Sequence, residues 1–170
     1  MLSNTGIPFK IATLIFLQNT EGDFLLLKRK KAPNKGNWSP IGGKLDTSLG
    51  ESPFECAIRE TKEETGFEVL EQDLHLYGYI SEKNFEASGH WLMFMFHCKK
   101  AITNLPDEMS EGHFNFFSRK EIDHINIPST DKKLVWPFYD KYSNSFVAIR
   151  ADCHPDKQLE IIIEETTPIC

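Results

Sequence analysis

No stretch of this 170-residue chain approaches the roughly 18 consecutive apolar residues that a membrane-crossing helix needs. The apolar piece from Ile11 to Leu17 is short and follows a polar opening, so it reads as neither anchor nor secretory signal. Cysteine is sparse: Cys56, Cys98, Cys153 and Cys170 show no CxxC spacing and are too few to staple a chain of this size. They are read as reduced thiols, which points to the cytoplasm. The six histidines form no close HxxxH pair, which leaves a zinc site with little support. Positive charge is in deficit, with 19 Lys and Arg against 25 Asp and Glu and a net charge of -6. Without a basic stripe to displace counterions, binding to a nucleic acid polymer is disfavoured. Internal repeats, linkers and low-complexity tracts are also missing, so residues 1–170 are expected to form one domain.

What the chain does have is a local excess of carboxylate. Arg59-Glu60-Thr61-Lys62-Glu63-Glu64-Thr65-Gly66-Phe67 places three acids at i, i+3 and i+4. At helical spacing Glu60, Glu63 and Glu64 fall within an arc of about 100° and project from one face. Like charges so placed repel by a few tenths of a kcal/mol per pair, and Lys62 points away from them. A hard divalent cation such as Mg2+ or Mn2+ would turn that repulsion into attraction, because such ions take oxygen ligands and share their coordination with substrate phosphates. A solvated acidic face is the plainer alternative for the isolated motif.

Lys10 to Leu17 and Phe24 to Leu27 are apolar runs joined by turn residues, the pattern of a hairpin with a longer loop. The basic segment Lys28 to Asn37 is too rich in Pro, Gly and Asn for regular structure. It reads as a solvated face or, through Arg29 or a neighbouring lysine, as a phosphate contact. Gly42-Gly43 permits close backbone approach. Ser52 and Pro53 then supply an N-cap and first helical residue, with Gly66 as the stop. Phe54, Ala57, Ile58, Thr61 and Thr65 are expected to pack this helix on a sheet. Leu74 to Ile80 and Trp91 to Cys98 read as strands around a loop from Ser81 to Gly89, the second strand apolar on both faces and hence central. A strand at Phe114 to Phe117 and a short helical turn at Arg119 to His124 follow. A helix capped by Ser129 or Thr130 comes next, kinked or started by Pro137, and strands at Ser145 to Arg150 and Gln158 to Glu164 close the chain as a hairpin. The order is that of an α+β protein, a mixed β-sheet flanked by helices.

The stretch from Gly43 resembles the signature of the Nudix (MutT-type) hydrolases, G-x5-E-x7-R-E-U-x-E-E-x-G-U with U aliphatic. Glu51, Arg59-Glu60, Glu63-Glu64, Gly66 and Phe67 match in register. Gly43 lies two residues further upstream than the pattern asks, and Thr61 replaces the usual aliphatic residue. The resemblance implies a Nudix-type α/β/α sandwich carrying a loop-helix-loop catalytic module. It further implies that Glu60, Glu63 and Glu64 bind Mg2+ or Mn2+ together with the Gly42 carbonyl, and that a Glu51–Arg59 ion pair ties loop to helix. A later loop supplies one more acid in such proteins, and Glu111 is favoured over Glu108. Glu63, Glu64 and Glu111 are thus the catalytic candidates.

The implied reaction is metal-dependent hydrolysis of the diphosphate linkage in a nucleoside diphosphate joined to another group. Nucleoside triphosphates and nucleotide sugars or ADP-ribose-like compounds are both open as substrates. Such hydrolysis needs cations to neutralise the phosphates and activate water. A catalytically inactive nucleotide-binding or regulatory module is the alternative. An isoprenoid diphosphate isomerase would need a cysteine before the box, and none precedes Cys56. Pro128 and Asp131 lie where the branch that hydrolyses oxidised purine nucleoside triphosphates places base-reading acids, while Ser39 replaces that branch's asparagine. Trp136 is a candidate to stack on the base. Phe85 either lines the pocket or covers the sheet, and Trp38 and Trp91 read as core. Cys56 reads as a space-filler, since nearby acids disfavour its thiolate. The expected partner is a small-molecule nucleotide, with the protein a monomer or homodimer.

Overall fold

The computed structural model describes residues 9–32, 34–85 and 89–167. These form a five-stranded mixed sheet and a three-stranded antiparallel one, with helices on both sides. In chain order the strands are β1 (Phe9–Phe16), β2 (Phe24–Arg29), β3 (Trp38–Ser39), β4 (Leu74–Phe85), β5 (Gly89–Cys98), β6 (Gly112–Phe117), β7 (Val147–Asp152) and β8 (Glu160–Thr166). The helices are α1 (Pro53–Thr65), α2 (Arg119–Ile122), α3 (Asp131–Leu134) and α4 (Trp136–Tyr142). The larger sheet runs β1-β5-β4-β7-β8 and the smaller β3-β2-β6.

The strand pattern separates two cores. On β1, Ile15 faces one apolar cluster and Phe16 the other, and β2 alternates likewise, with Leu25 and Leu27 opposite Phe24 and Leu26. One cluster is covered by α1 through Ala57, Phe54 and Ile58. The other is covered by Ile122, Leu134, Val135, Trp136 and Tyr139 of the later helices. This two-sided burial explains why β2 is apolar on both faces and why β5, third-party neighbour to both β1 and β4, sits centrally.

The hairpin expected of β1 and β2 does not form as a ladder. The two segments touch at the turn, where Leu25 N–H donates to the Leu17 carbonyl at 2.9 Å, and then enter different sheets. Both edges of β1 are already used. One pairs in parallel with β5, and the other meets the incoming glycine segment, where Thr13 N–H donates to Gly43 O and Ile15 N–H to Ile41 O, each at 2.8 Å. The loop expected from Ser81 is also displaced: β4 continues to Phe85, held in parallel against β7 from Gly78 to Lys83. Residues 86–88, the rest of that expected loop, lie outside the described residues, as does Cys170. The other three cysteines are free thiols. Pro137 ends the ambiguity of the late helix by starting a separate one, α4.

Helix α1 begins and ends as its sequence dictates. Ser52 Oγ accepts from Glu55 N–H at 3.2 Å while Glu55 accepts from Ser52 N–H at 2.7 Å, a reciprocal capping box. Gly66, at φ 71°, takes the left-handed conformation and donates its N–H to the Lys62 carbonyl. Among the described residues no helix is long and apolar enough to cross a membrane.

Candidate active site

A cavity of about 450 Å3 opens between α1, β1, the 39–44 segment, the ends of β4 and β5, and α3. Its polar end is built by α1. Glu60 and Glu64 line it, facing Glu111, which the tight turn between Met109 and Gly112 presents from the mouth of β6. Arg29 and Lys44 also line this cavity. Gly42 has no room for a side chain, since a Cβ there would collide with the Thr13 backbone carbonyl, and a Cβ on Gly43 would push the Glu60 carboxylate aside. The loop can therefore lie flat on β1 and let the Glu60 carboxylate rest over its backbone.

The three acids of α1 are not equivalent. Glu64 is 8% exposed and its Oε2 is buried without a hydrogen-bond partner. Burial, reinforced by the charges of Glu60 and Glu111, pushes its carboxyl up to about 8. Burial also raises Glu60. Glu63 is instead exposed and is not among the cavity-lining residues; it accepts from Arg59 Nη1 at 3.1 Å. Arg59 collects the negative charge of the module. Its Nε and Nη2 donate to the two Glu51 oxygens at 2.7 and 2.9 Å, and its Nη1 to Glu60 at 2.7 Å. Nη2 also reaches the Lys44 carbonyl at 3.2 Å, so one guanidinium ties helix, preceding loop and glycine segment together. This pairing holds the Glu51 carboxyl well below the usual range, at about 2. Cys56, fully buried beside Thr13 and Gly43, has its thiol pushed up to about 11, mainly by burial.

Glu111 lines the cavity and Glu108 does not; Glu108 is exposed and paired with Lys30. Phe85 and Asp131 both line the cavity. Trp136 does not reach it. The indole is 1% exposed and packs edge-on against Phe16 and Phe24, with the Arg119 guanidinium over its ring. Its place in the aromatic core corrects the expectation that it stacks on a base. Trp91 moves the other way: expected in the core, it lines the cavity, with the Lys10 and Lys44 ammonium groups 4.9 and 5.8 Å from its ring centre. Trp38 packs edge-on against His113 and Phe117.

One cavity acid escaped the sequence reading. Glu82 sits on β4, directly across from Trp91, and is 4% exposed. Its only sequence signal is a charged residue within an apolar strand, which is hidden when that strand is taken to end at Ile80.

Among the described residues, no three acidic, histidine or cysteine side chains converge tightly enough as they stand to hold an ion. Arg59 engages Glu60 and Glu63. The donor set nevertheless fits a hard divalent cation: it is all oxygen, and the buried, partnerless Glu64 Oε2 is an acceptor that the protein itself does not satisfy.

This fold and this carboxylate-bearing helix define a class, and comparison with known proteins agrees. The NUDIX domain family matches residues 8–138, and the chain belongs to that family of hydrolases. It is 27% identical over 113 residues to YvcI, an uncharacterized Nudix hydrolase of Bacillus subtilis, covering 66% of this chain and 68% of that protein. It is 29% identical over 107 residues to the GDP-mannose pyrophosphatase of Yersinia enterocolitica, covering 59% of this chain and 56% of that one. The match thus spans little more than half of the second relative's length. In structure the chain resembles the MutT protein of Bacillus halodurans, with a TM-score of 0.71 over 91% of this chain and 97% of the other at 24% identity. That likeness establishes the fold.

Proposed function

We propose that this chain is a metal-dependent pyrophosphohydrolase, cleaving the diphosphate linkage of a nucleoside diphosphate joined to another group. The observation that carries the reading is a single cavity lined both by charged groups, Glu60, Glu64, Glu111, Arg29 and Lys44, and by apolar and aromatic ones, Phe85, Trp91 and Met93. A nucleotide has the matching polarity, anionic at its phosphates and flat and apolar-faced at its base.

Glu60, Glu64 and Glu111, with Glu63 at the edge and the Gly42 carbonyl, are the residues that would hold Mg2+ or Mn2+. A bound divalent ion would neutralise phosphate charge and lower the pKa of a water. Arg59 positions the carboxylates, and Arg29 and Lys44 offer charge to the phosphates. Glu64, buried on the cavity wall with one carboxylate oxygen lacking a hydrogen-bond partner, is the acid best placed to meet the ion or its water. The GDP-mannose pyrophosphatase, by its name, acts on such a compound, which supports this class of substrate.

The test is a hydrolysis screen over nucleoside triphosphates, dinucleotides and nucleotide sugars, with and without Mg2+ or Mn2+, with products identified. Cleavage at the diphosphate that stops in EDTA is expected. In Glu64→Gln, turnover should fall by about two orders of magnitude or more with the fold retained. Tight nucleotide binding with no hydrolysis under any divalent ion would favour a binding module instead.

A further inference from the structure

The last residues of β4 break the alternation of a strand. From Glu82 to Phe85 β4 advances three residues while its antiparallel partner β5 advances two, from Trp91 to Gly89, so one residue of β4 is extra. Simple alternation would put Phe85 on the face of the exposed Lys83, away from Glu82. The extra residue reverses that, and Phe85 lines the cavity together with Glu82 and Trp91. Asn84 makes the reversal. It holds φ at 56° and, with Asn34, is one of two non-glycine residues at positive φ among the described residues. That conformation is disfavoured for L residues, and asparagine is among those that tolerate it best. Two hydrogen bonds hold Asn84 there. Its side-chain Nδ2 donates to Asp152 Oδ1 on the parallel neighbour β7 at 3.2 Å, and its backbone N–H donates to His90 Nδ1 on β5 at 3.2 Å. The Asp152 oxygen is itself fixed, accepting the His154 N–H at 3.2 Å. Both strands that flank β4 thus hold one strained torsion, and the side chain that this torsion aims belongs to the cavity wall.

We infer that Asn84 is a positioning residue for substrate recognition: its left-handed bulge, clamped by Asp152 and His90, turns Phe85 into the cavity as an aromatic wall for the flat ring of the substrate. The inference rests on the nucleotide reading above for the identity of that ring, and on geometry alone for the aim of Phe85. A strand that ran straight through Asn84 would carry the Phe85 ring to the opposite face of the sheet, because a one-residue change of register exchanges faces. The cavity would lose aromatic surface, while Glu60, Glu64 and Glu111, on α1 and in the turn before β6, would keep their places. The clamp can also be inverted. Asn84→Asp alone sets two carboxylates against each other. Asn84→Asp combined with Asp152→Asn restores the bond with donor and acceptor exchanged, and aspartate, like asparagine, tolerates the left-handed region.

The experiment titrates AMP, GMP, UMP and, as a base-free control, ribose 5-phosphate into the protein by calorimetry in the presence of Mg2+. None of the four contains a diphosphate linkage, so binding is read without turnover. The quantity of interest is the Kd of the control divided by that of the tightest nucleotide. Wild type is compared with Phe85→Ala, Asn84→Val, the two combined, Asn84→Asp, and Asn84→Asp with Asp152→Asn, each checked for folding by thermal unfolding. Stacking of a base on an aromatic wall supports a ratio of about tenfold or more in wild type. Phe85→Ala should bring it within about threefold of unity. Asn84→Val should do the same, since a β-branched side chain resists the left-handed region, and combining the two should add nothing further. Asn84→Asp should lower the ratio, and adding Asp152→Asn should restore it. An unchanged ratio in folded Asn84→Val, a fall that adds to that of Phe85→Ala, or no recovery in the exchanged pair would overturn the inference. The aim of Phe85 is read separately in crystals of ligand-free Asn84→Val. The ring should leave the cavity wall, and its retention there refutes the positioning role. If no nucleotide outbinds the control in wild type, the nucleotide reading fails, and the crystals alone decide whether Asn84 positions Phe85.

Discussion

Replacing Glu82 by glutamine should stabilise the protein, by an amount that grows with pH. The side chain is 4% exposed on β4, and burial is the main reason its carboxyl rises from the ordinary 4.5 to about 8. A folded-state value above the unfolded one means that this group's contribution is fully present below pH 4.5 and is lost as pH rises through 8. At about 1.36 kcal/mol per pH unit, that interval sets a ceiling of about 5 kcal/mol. Relaxation and water entry reduce such penalties, so a loss of about 2 to 3 kcal/mol is expected. Glutamine keeps the shape and never ionises, so its stability curve lacks the step. Asp131, whose charge adds to the rise at Glu82, is present in both proteins. For a chain of 170 residues, about 2 to 4 °C of Tm accompanies each kcal/mol. Thermal unfolding from pH 5 to 9 in EDTA should show the two proteins melting close together at pH 5. By pH 8.5 the variant should lead by about 5 to 10 °C. A gap that stays constant across this range would refute the burial argument, whatever the variant's absolute Tm.

Three further outcomes follow from the geometry. Glu51→Gln removes the bidentate partner of Arg59 and should cost about 1 to 2 kcal/mol at pH 7, a figure discounted because Arg59 is one-third exposed. Since Glu51 titrates at about 2 when folded, its contribution is present above 4.5 and lost as pH falls, so urea unfolding at pH 3 should show a smaller difference. Gly43→Ala drives a methyl group into the Glu60 carboxylate and should weaken the dependence on divalent ion by about tenfold, read as a shifted Mg2+ titration of activity with Tm little changed. Trp136→Phe should lower stability by about 1 to 3 kcal/mol and leave KM unaltered, because the indole packs in the aromatic core; a raised KM would return it to the substrate site.

Local features were legible wherever neighbouring residues decide them. Ser52, Pro53 and Gly66 bound α1 because capping depends on groups within one turn. The Glu51–Arg59 pair is implied by the resemblance to the Nudix signature, and the structure forms it. The late Pro137 could start or kink a helix, and only packing against the cores decided that it starts α4. The hairpin reading of β1 and β2 failed because both edges of β1 are claimed by segments distant in sequence, β5 and the 41–43 stretch.

The same division applies to the candidate site. The order and spacing of acids from Glu51 to Glu64 are enough to specify the module and its family, since a helix converts spacing into direction without help from the rest of the chain. Tertiary structure decided which of those acids face the cavity: Glu60 and Glu64 line it, while Glu63 turns to Arg59. It also placed Glu111 rather than Glu108 opposite them, exchanged the expected surroundings of Trp91 and Trp136, and buried Glu82 beside Asp131. Those outcomes depend on which strands pair and which helix covers them. They are long-range matters, on which residue type and local period carry no information.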